Sequence, residues 1–142
     1  VSPLTMIATD SIIEAGKGHP RTAGSYSRVL GRYVRERGEL SLIDALKKMT
    51  IMPARRLEAR APAFLKKGRI QVGADADIVI FDPMTVKDQS TYADPIKPPI
   101  GLNQVIVNGI PVVSDSKLEE GYDSVQACTQ HKEFTYFNDF LI

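Results

Sequence analysis

Residues 68–83 read GRIQVGADADIVIFDP, and their second half changes the period of the chain. From Ala76 onward the residues alternate. Ala76, Ile78 and Ile80 point one way, and Asp77, Val79 and Phe81 the other, which is the two-faced pattern of a strand. Downstream, residues 103–113 read NQVIVNGIPVV. Asn108-Gly109 between two β-branched runs is a strong hairpin signal, because both residues accept the positive φ of a type I′ turn. Residues 83–101, with Pro83, Pro95, Pro98 and Pro99, read as the long loop joining these strands.

Upstream the period is helical. A helix is expected from about Ser25, with Tyr26, Val29, Leu30, Tyr33 and Val34 on one face and Arg28, Arg32, Arg35 and Glu36 on the rest. Gly38 suits its stop. Ser41 and Asp44 open SLIDALKKM like a capping box, over an apolar stripe of Leu42, Ala45, Leu46 and Met49. Pro53 suits the first turn of a further short helix, PARRLEA.

Residues 4–9, LTMIAT, are apolar on both faces and suit a buried, parallel-type strand. Six residues are too few for pattern alone to separate strand from helix. The run stops at Asp10. Residues 11–24 then read as a loop, with Gly16, Gly18, Pro20 and Gly24, and within it stand His19 and Arg21. A carboxylate lifted off a strand end, with an imidazole and a guanidinium a short loop later, is the layout of a site.

Composition bounds the alternatives. The 142 residues suffice for one modest core, and the hydrophobic and charged fractions, 43% and 25%, are ordinary for a globular chain. A net charge of +1 gives no electrostatic pull toward nucleic acid or anionic lipid. Arg28, Arg32 and Arg35 read as a solvated face. No apolar run approaches the roughly 18 residues of a membrane span, so no membrane partner is expected. The single cysteine, Cys128, rules out a disulfide framework within the chain and fits a reducing, cytoplasmic setting. Gly68 and Gly73 lack the Lys-Ser/Thr of a phosphate loop.

Taken in order, MIATD, HPRTAGSYSRVLGRYVRERG, LIDALKKMTIMPARRL, KKGRIQVGADADIVIFDP and VIVNGIPVV resemble the C-terminal third of the amidohydrolase superfamily. Within it they are most similar to the N-acyl-D-amino-acid deacylase (D-aminoacylase) branch. The resemblance covers roughly residues 3–114, and the HPR…RVLGRYVRERG block carries the branch assignment.

That resemblance implies an α/β fold: the last strand and helices of a (β/α)8 barrel, plus the C-terminal strands of a small β-sandwich. Residues 1–60 would be the C-terminal part of the barrel and residues 61–121 the C-terminal part of the sandwich domain. Residues 122–142 would be a divergent tail rich in apolar and aromatic side chains. It further implies a zinc-dependent hydrolase that cleaves the amide of small N-acyl-D-amino acids. Asp10 would be the catalytic proton shuttle beside a metal-bound water. Arg21 would hold the substrate carboxylate, with His19 in the same substrate-binding loop. A planar, permanently charged guanidinium suits a bidentate carboxylate.

A catalytic zinc needs about three protein ligands. The chain has two histidines, His19 and His131, and no His-x-His. Cys128 and His131, three residues apart, are at most a two-ligand corner. The chain is therefore expected not to hold zinc alone and to be inactive alone. Asp75 and Asp77 look like paired carboxylates, and the family uses that stretch structurally. Two other readings stand beside the deacylase. One is a hydantoinase- or dihydroorotase-like enzyme, against which the HPR…RVLGRY block argues. The other is a non-catalytic module for self-association or partner binding. The apolar surfaces left on residues 4–9, the helices and the tail predict a homo-oligomer or docking on the rest of the enzyme.

Overall fold

The computed structural model describes residues 2–10, 13–14 and 17–119. Cys128, His131 and the tail beyond residue 119 lie outside the described residues, as do residues 11–12 and 15–16 of the expected loop.

A two-residue antiparallel pair, β1 (Ile13–Glu14) with β2 (Lys17–Gly18), stands where a plain loop is expected. Helix α1 (Arg21–Arg28) follows and runs into a π-helical segment, Val29–Glu36. It starts four residues before the expected Ser25. The reason is local: His19 and Pro20 carbonyls accept from Thr22 N–H and Gly24 N–H, both at 3.0 Å, and so close the first turn early. Tyr26 and Leu30 are buried as expected, with Val29 and Val34 packed against the core. Tyr33 drifts outward to 37% exposure and carries Arg37 over its ring at 5.5 Å. Gly38, at φ 61°, stops the helix by returning its N–H to Val34 O at 3.2 Å.

Ser41 caps α2 (Leu42–Met49), its Oγ accepting from Asp44 N–H at 3.1 Å. Helix α3 (Ile51–Leu57) follows directly, with Pro53 in its first turn, and a 3₁₀ turn, Pro62–Lys66, ends the helical part.

The rest is one four-stranded antiparallel meander in the order β3 (Ile78–Phe81), β4 (Leu102–Val107), β5 (Ile110–Ser114), β6 (Lys117–Leu118). Asn108 and Gly109 take φ of 50° and 82° and make the β4–β5 turn, as the sequence requires. A second turn of the same hand, at Asp115 (φ 48°) and Ser116 (φ 62°), adds β6. Val79 and Phe81 pack against the core, while Ile80 is 45% exposed, so the alternation over β3 has its buried face on the Asp77 side.

Helices and sheet share one core. Tyr26, Leu30, Ala45 and Met49 from the helices meet Leu102, Val105, Val112 and Val113 from the sheet. Val86, fully buried, is the loop residue that joins them. Its loop, residues 83–101, is closed on itself by paired backbone bonds between Lys87 and Ile100, at 3.1 and 3.0 Å. Asp82 starts it, accepting from Met84 N–H at 2.8 Å and Thr85 Oγ1 at 2.9 Å.

Residues 4–9 do not form the expected strand. A strand exists by its ladder, and no described segment pairs with this one. It is held instead by Ile7 N–H on Lys48 O at 3.1 Å and by the Lys48 ammonium, which donates to Ser2 O at 2.7 Å and Thr5 O at 2.6 Å.

Candidate functional site

Asp10 ends this tethered segment in the left-handed region, φ 47°, which aspartate tolerates better than most side chains. Its carboxylate is fully exposed, and Arg21 Nη2 lies 3.9 Å from Asp10 Oδ2. Arg21 is the first residue of α1, so its guanidinium projects from the helix start, half-exposed. Such an exposed ion pair contributes little stability. What it shows is convergence: residues at opposite ends of the 11–20 loop reach the same place.

His19 joins them through the backbone. Its Nδ1 accepts from Arg21 N–H at 3.1 Å. A ring nitrogen that accepts carries no proton, so in the neutral imidazole the proton sits on Nε2. That nitrogen lies 3.0 Å from the Tyr92 hydroxyl, which therefore accepts from it. The two rings meet edge to face, with centroids 5.1 Å apart and planes at 78°. His19 does for Arg21 what an N-cap side chain does: it satisfies one of the orphan donors of the helix start.

Tyr92 is the member that sequence reasoning missed. It lies 73 residues from His19 in a proline-rich loop, and nothing in its neighbours' types marks it. Two arginines were also misread. Arg28 pairs with Asp88 Oδ2 at 2.8 Å, and Arg35 donates to Pro83 O at 3.1 Å and Val86 O at 2.7 Å. These cations hold the loop rather than merely facing solvent. Asp75 and Asp77 are structural: both pair with Lys67, and Asp77 Oδ1 also accepts from Asn108 N–H at 2.8 Å, anchoring the hairpin turn.

The donor set does not fit a metal. Among the described residues no three of His, Cys, Asp and Glu come together. His19, the nearest imidazole in sequence to Asp10, has both nitrogens engaged. Asp10 alone cannot hold a catalytic zinc.

Residues 4–113 match the amidohydrolase family. The chain is similar to two Alcaligenes xylosoxydans xylosoxydans proteins. It is 43% identical to the N-acyl-D-glutamate deacylase over 75% of this chain and 21% of that one. It is 40% identical to the D-aminoacylase over 76% of this chain and 21% of that one. A solved structure, the N-acyl-D-glutamate deacylase of Bordetella bronchiseptica, superposes with a TM-score of 0.69 at 39% identity. That match covers 82% of this chain and 24% of that one, and that protein was solved with zinc and a phosphonate inhibitor mimicking the tetrahedral intermediate. The chain thus spans about a fifth of the length of the relatives it matches. With most of its residues inside one family match, and its fold matching a solved deacylase, this chain belongs to the amidohydrolase family.

Proposed function

We propose that the chain serves the substrate side of a metal-dependent deacylase that hydrolyses the amide of N-acyl-D-amino acids. Water adds to the acyl carbon, the C–N bond breaks, and a carboxylic acid and a D-amino acid are released. Asp10 is the catalytic carboxylate: it takes a proton from the attacking water and delivers it to the departing amine nitrogen. Arg21 is the anchor for the substrate's α-carboxylate, with its start of α1 set by His19. A zinc centre like that of the Bordetella relative would draw its other ligands from outside the described residues.

The observation that carries this reading is the convergence of Asp10 and Arg21, 3.9 Å apart and open to solvent, at the end of a segment tied down by Lys48. In the same reading residues 4–9 are the last strand of a barrel and residues 1–60 its C-terminal part. Residues 61–121 belong to the small sandwich, and residues 122–142 form a separate tail. The exposed Leu4 and Met6 are then the faces that neighbouring barrel strands cover. A second copy of the chain is the alternative cover.

Asp10→Asn tests the shuttle in the whole protein that carries this chain. The amide keeps the shape and loses the proton-accepting oxygen. Turnover of N-acetyl-D-amino acids should fall about 10²–10⁴-fold, the usual contribution of a positioned acid–base group. Turnover within tenfold of the unsubstituted protein would remove Asp10 from this role.

A further inference from the structure

The loop of residues 83–101 touches α1 and the two residues before it at every second residue, Asp88 at the end of the helix and Ser90 and Tyr92 ahead of its start. Asp88 pairs with Arg28 at 2.8 Å. Ser90, 7% exposed, donates its hydroxyl to Pro20 O at 2.8 Å. Tyr92 reaches His19 Nε2 at 3.0 Å. The approach is close enough that a Cβ on Gly24 would lie 2.3 Å from Ser90 Oγ. Just beyond, Thr91 and Asp94 close a turn, with Thr91 N–H on Asp94 O and Asp94 N–H on Thr91 Oγ1, both at 3.0 Å. Tyr92 is thus presented from a fixed backbone although its side chain is 78% exposed.

An exposed hydrogen bond between two side chains adds little to folding stability. Its effect here is directional. The hydroxyl fixes the rotation of the imidazole. The imidazole then aims Nδ1 at Arg21 N–H. The first helical residue is thereby held, and its side chain is the one beside Asp10.

We propose that Tyr92 is a positioning residue: through the His19 imidazole it sets Arg21 for a substrate carboxylate. The proposal rests on the deacylase reading and deepens it. The sheet-side loop, and not the helix alone, then determines how well carboxylate-bearing substrates bind.

Two measurements test it. In the first, hydrogen exchange and ¹⁵N-histidine spectra are recorded on the chain. His19 should be the Nε2–H tautomer when neutral. Tyr92→Phe should lower protection of the Arg21 amide about three- to tenfold, the worth of one net hydrogen bond. An Nδ1–H tautomer, or unchanged Arg21 protection in Tyr92→Phe, overturns the proposal.

The second is kinetic, in the whole protein. Tyr92→Phe should raise KM for N-acetyl-D-amino acids about three- to tenfold, with a smaller change in kcat. The matching substrates with the carboxylate converted to an amide should be unaffected. His19→Ala should show the same loss. His19→Asn, whose Oδ1 can replace Nδ1 as acceptor, should rescue it and make the protein indifferent to Tyr92→Phe. Equal losses on both substrate types, or an undiminished Tyr92→Phe effect in the His19→Asn background, overturns the proposal. If the unsubstituted protein hydrolyses no N-acyl-D-amino acid, the deacylase reading falls and takes the carboxylate role with it. Failure of the Tyr92 effects alone removes the proposal and leaves that reading standing.

Discussion

Lys48 is 5% exposed, and its ammonium spends its donors on Ser2 O, Thr5 O and, at 3.4 Å, Thr5 Oγ1. Together with Ile7 N–H on Lys48 O, these bonds are the tether of the segment that ends in Asp10. Lys48→Met keeps the aliphatic stem in the core and leaves the carbonyls without their donor. The expected cost is about 1–3 kcal/mol, with faster amide exchange at Ile7. Thermal melts and exchange rates check it, and unchanged Ile7 protection would show that the segment is held by something else. Asp10, His19 and Arg21 were visible as candidates in the sequence because their types and their loop carry chemistry. Lys48 and Tyr92 were not. A lysine beside an apolar stripe reads as solvent-facing, and a tyrosine among prolines reads as loop surface. Only folding brings each to its partner, 43 and 73 residues away.

At the scale of elements, the local codes were the readable part. Asn108-Gly109, the Ser41 cap and the Gly38 stop are set by the conformations those residues accept, and each stands where expected. The start of α1 was misplaced because its N-cap is Pro20, which offers no capping side chain, and the first turn is closed by the His19 and Pro20 carbonyls. The Asp115-Ser116 turn was missed because neither residue is glycine. The 83–101 segment was read as a loop, but its internal order was not. Its order comes from distant arginines and from Gly101, which no period encodes. Gly101 sits at φ 78°, and a Cβ there would lie 2.4 Å from Val86 N. Gly101→Ala must therefore displace backbone as well as strain its own. The expected loss is about 1–3 kcal/mol for the strained residue, and more once Val86 shifts. Gly73→Ala, also at positive φ (83°) but facing open space, pays the strain alone. Denaturant titrations of the two variants should rank Gly101→Ala as clearly the less stable, and equal losses would mean the Val86 contact is slack.

On the scale of the whole molecule, helices and sheet meet in one cluster through Val86, so the site is assembled across the fold. The segment before α1 supplies Asp10, α1 supplies Arg21, and the sheet-side loop supplies the support for His19. The family assignment rests on a match over residues 4–113, and the proposed deacylase function rests on what those side chains can do together. The most direct test is steady-state kinetics of the whole protein and its Arg21→Ala variant, on N-acetyl-D-amino acids and on the same substrates with the carboxylate converted to an amide. The account predicts a loss in kcat/KM worth about 2 kcal/mol on the acids, the low end for truncating one partner of a charge pair because Arg21 is half-exposed. It predicts little change on the amides. Equal losses on both substrate types, or none on either, would contradict it.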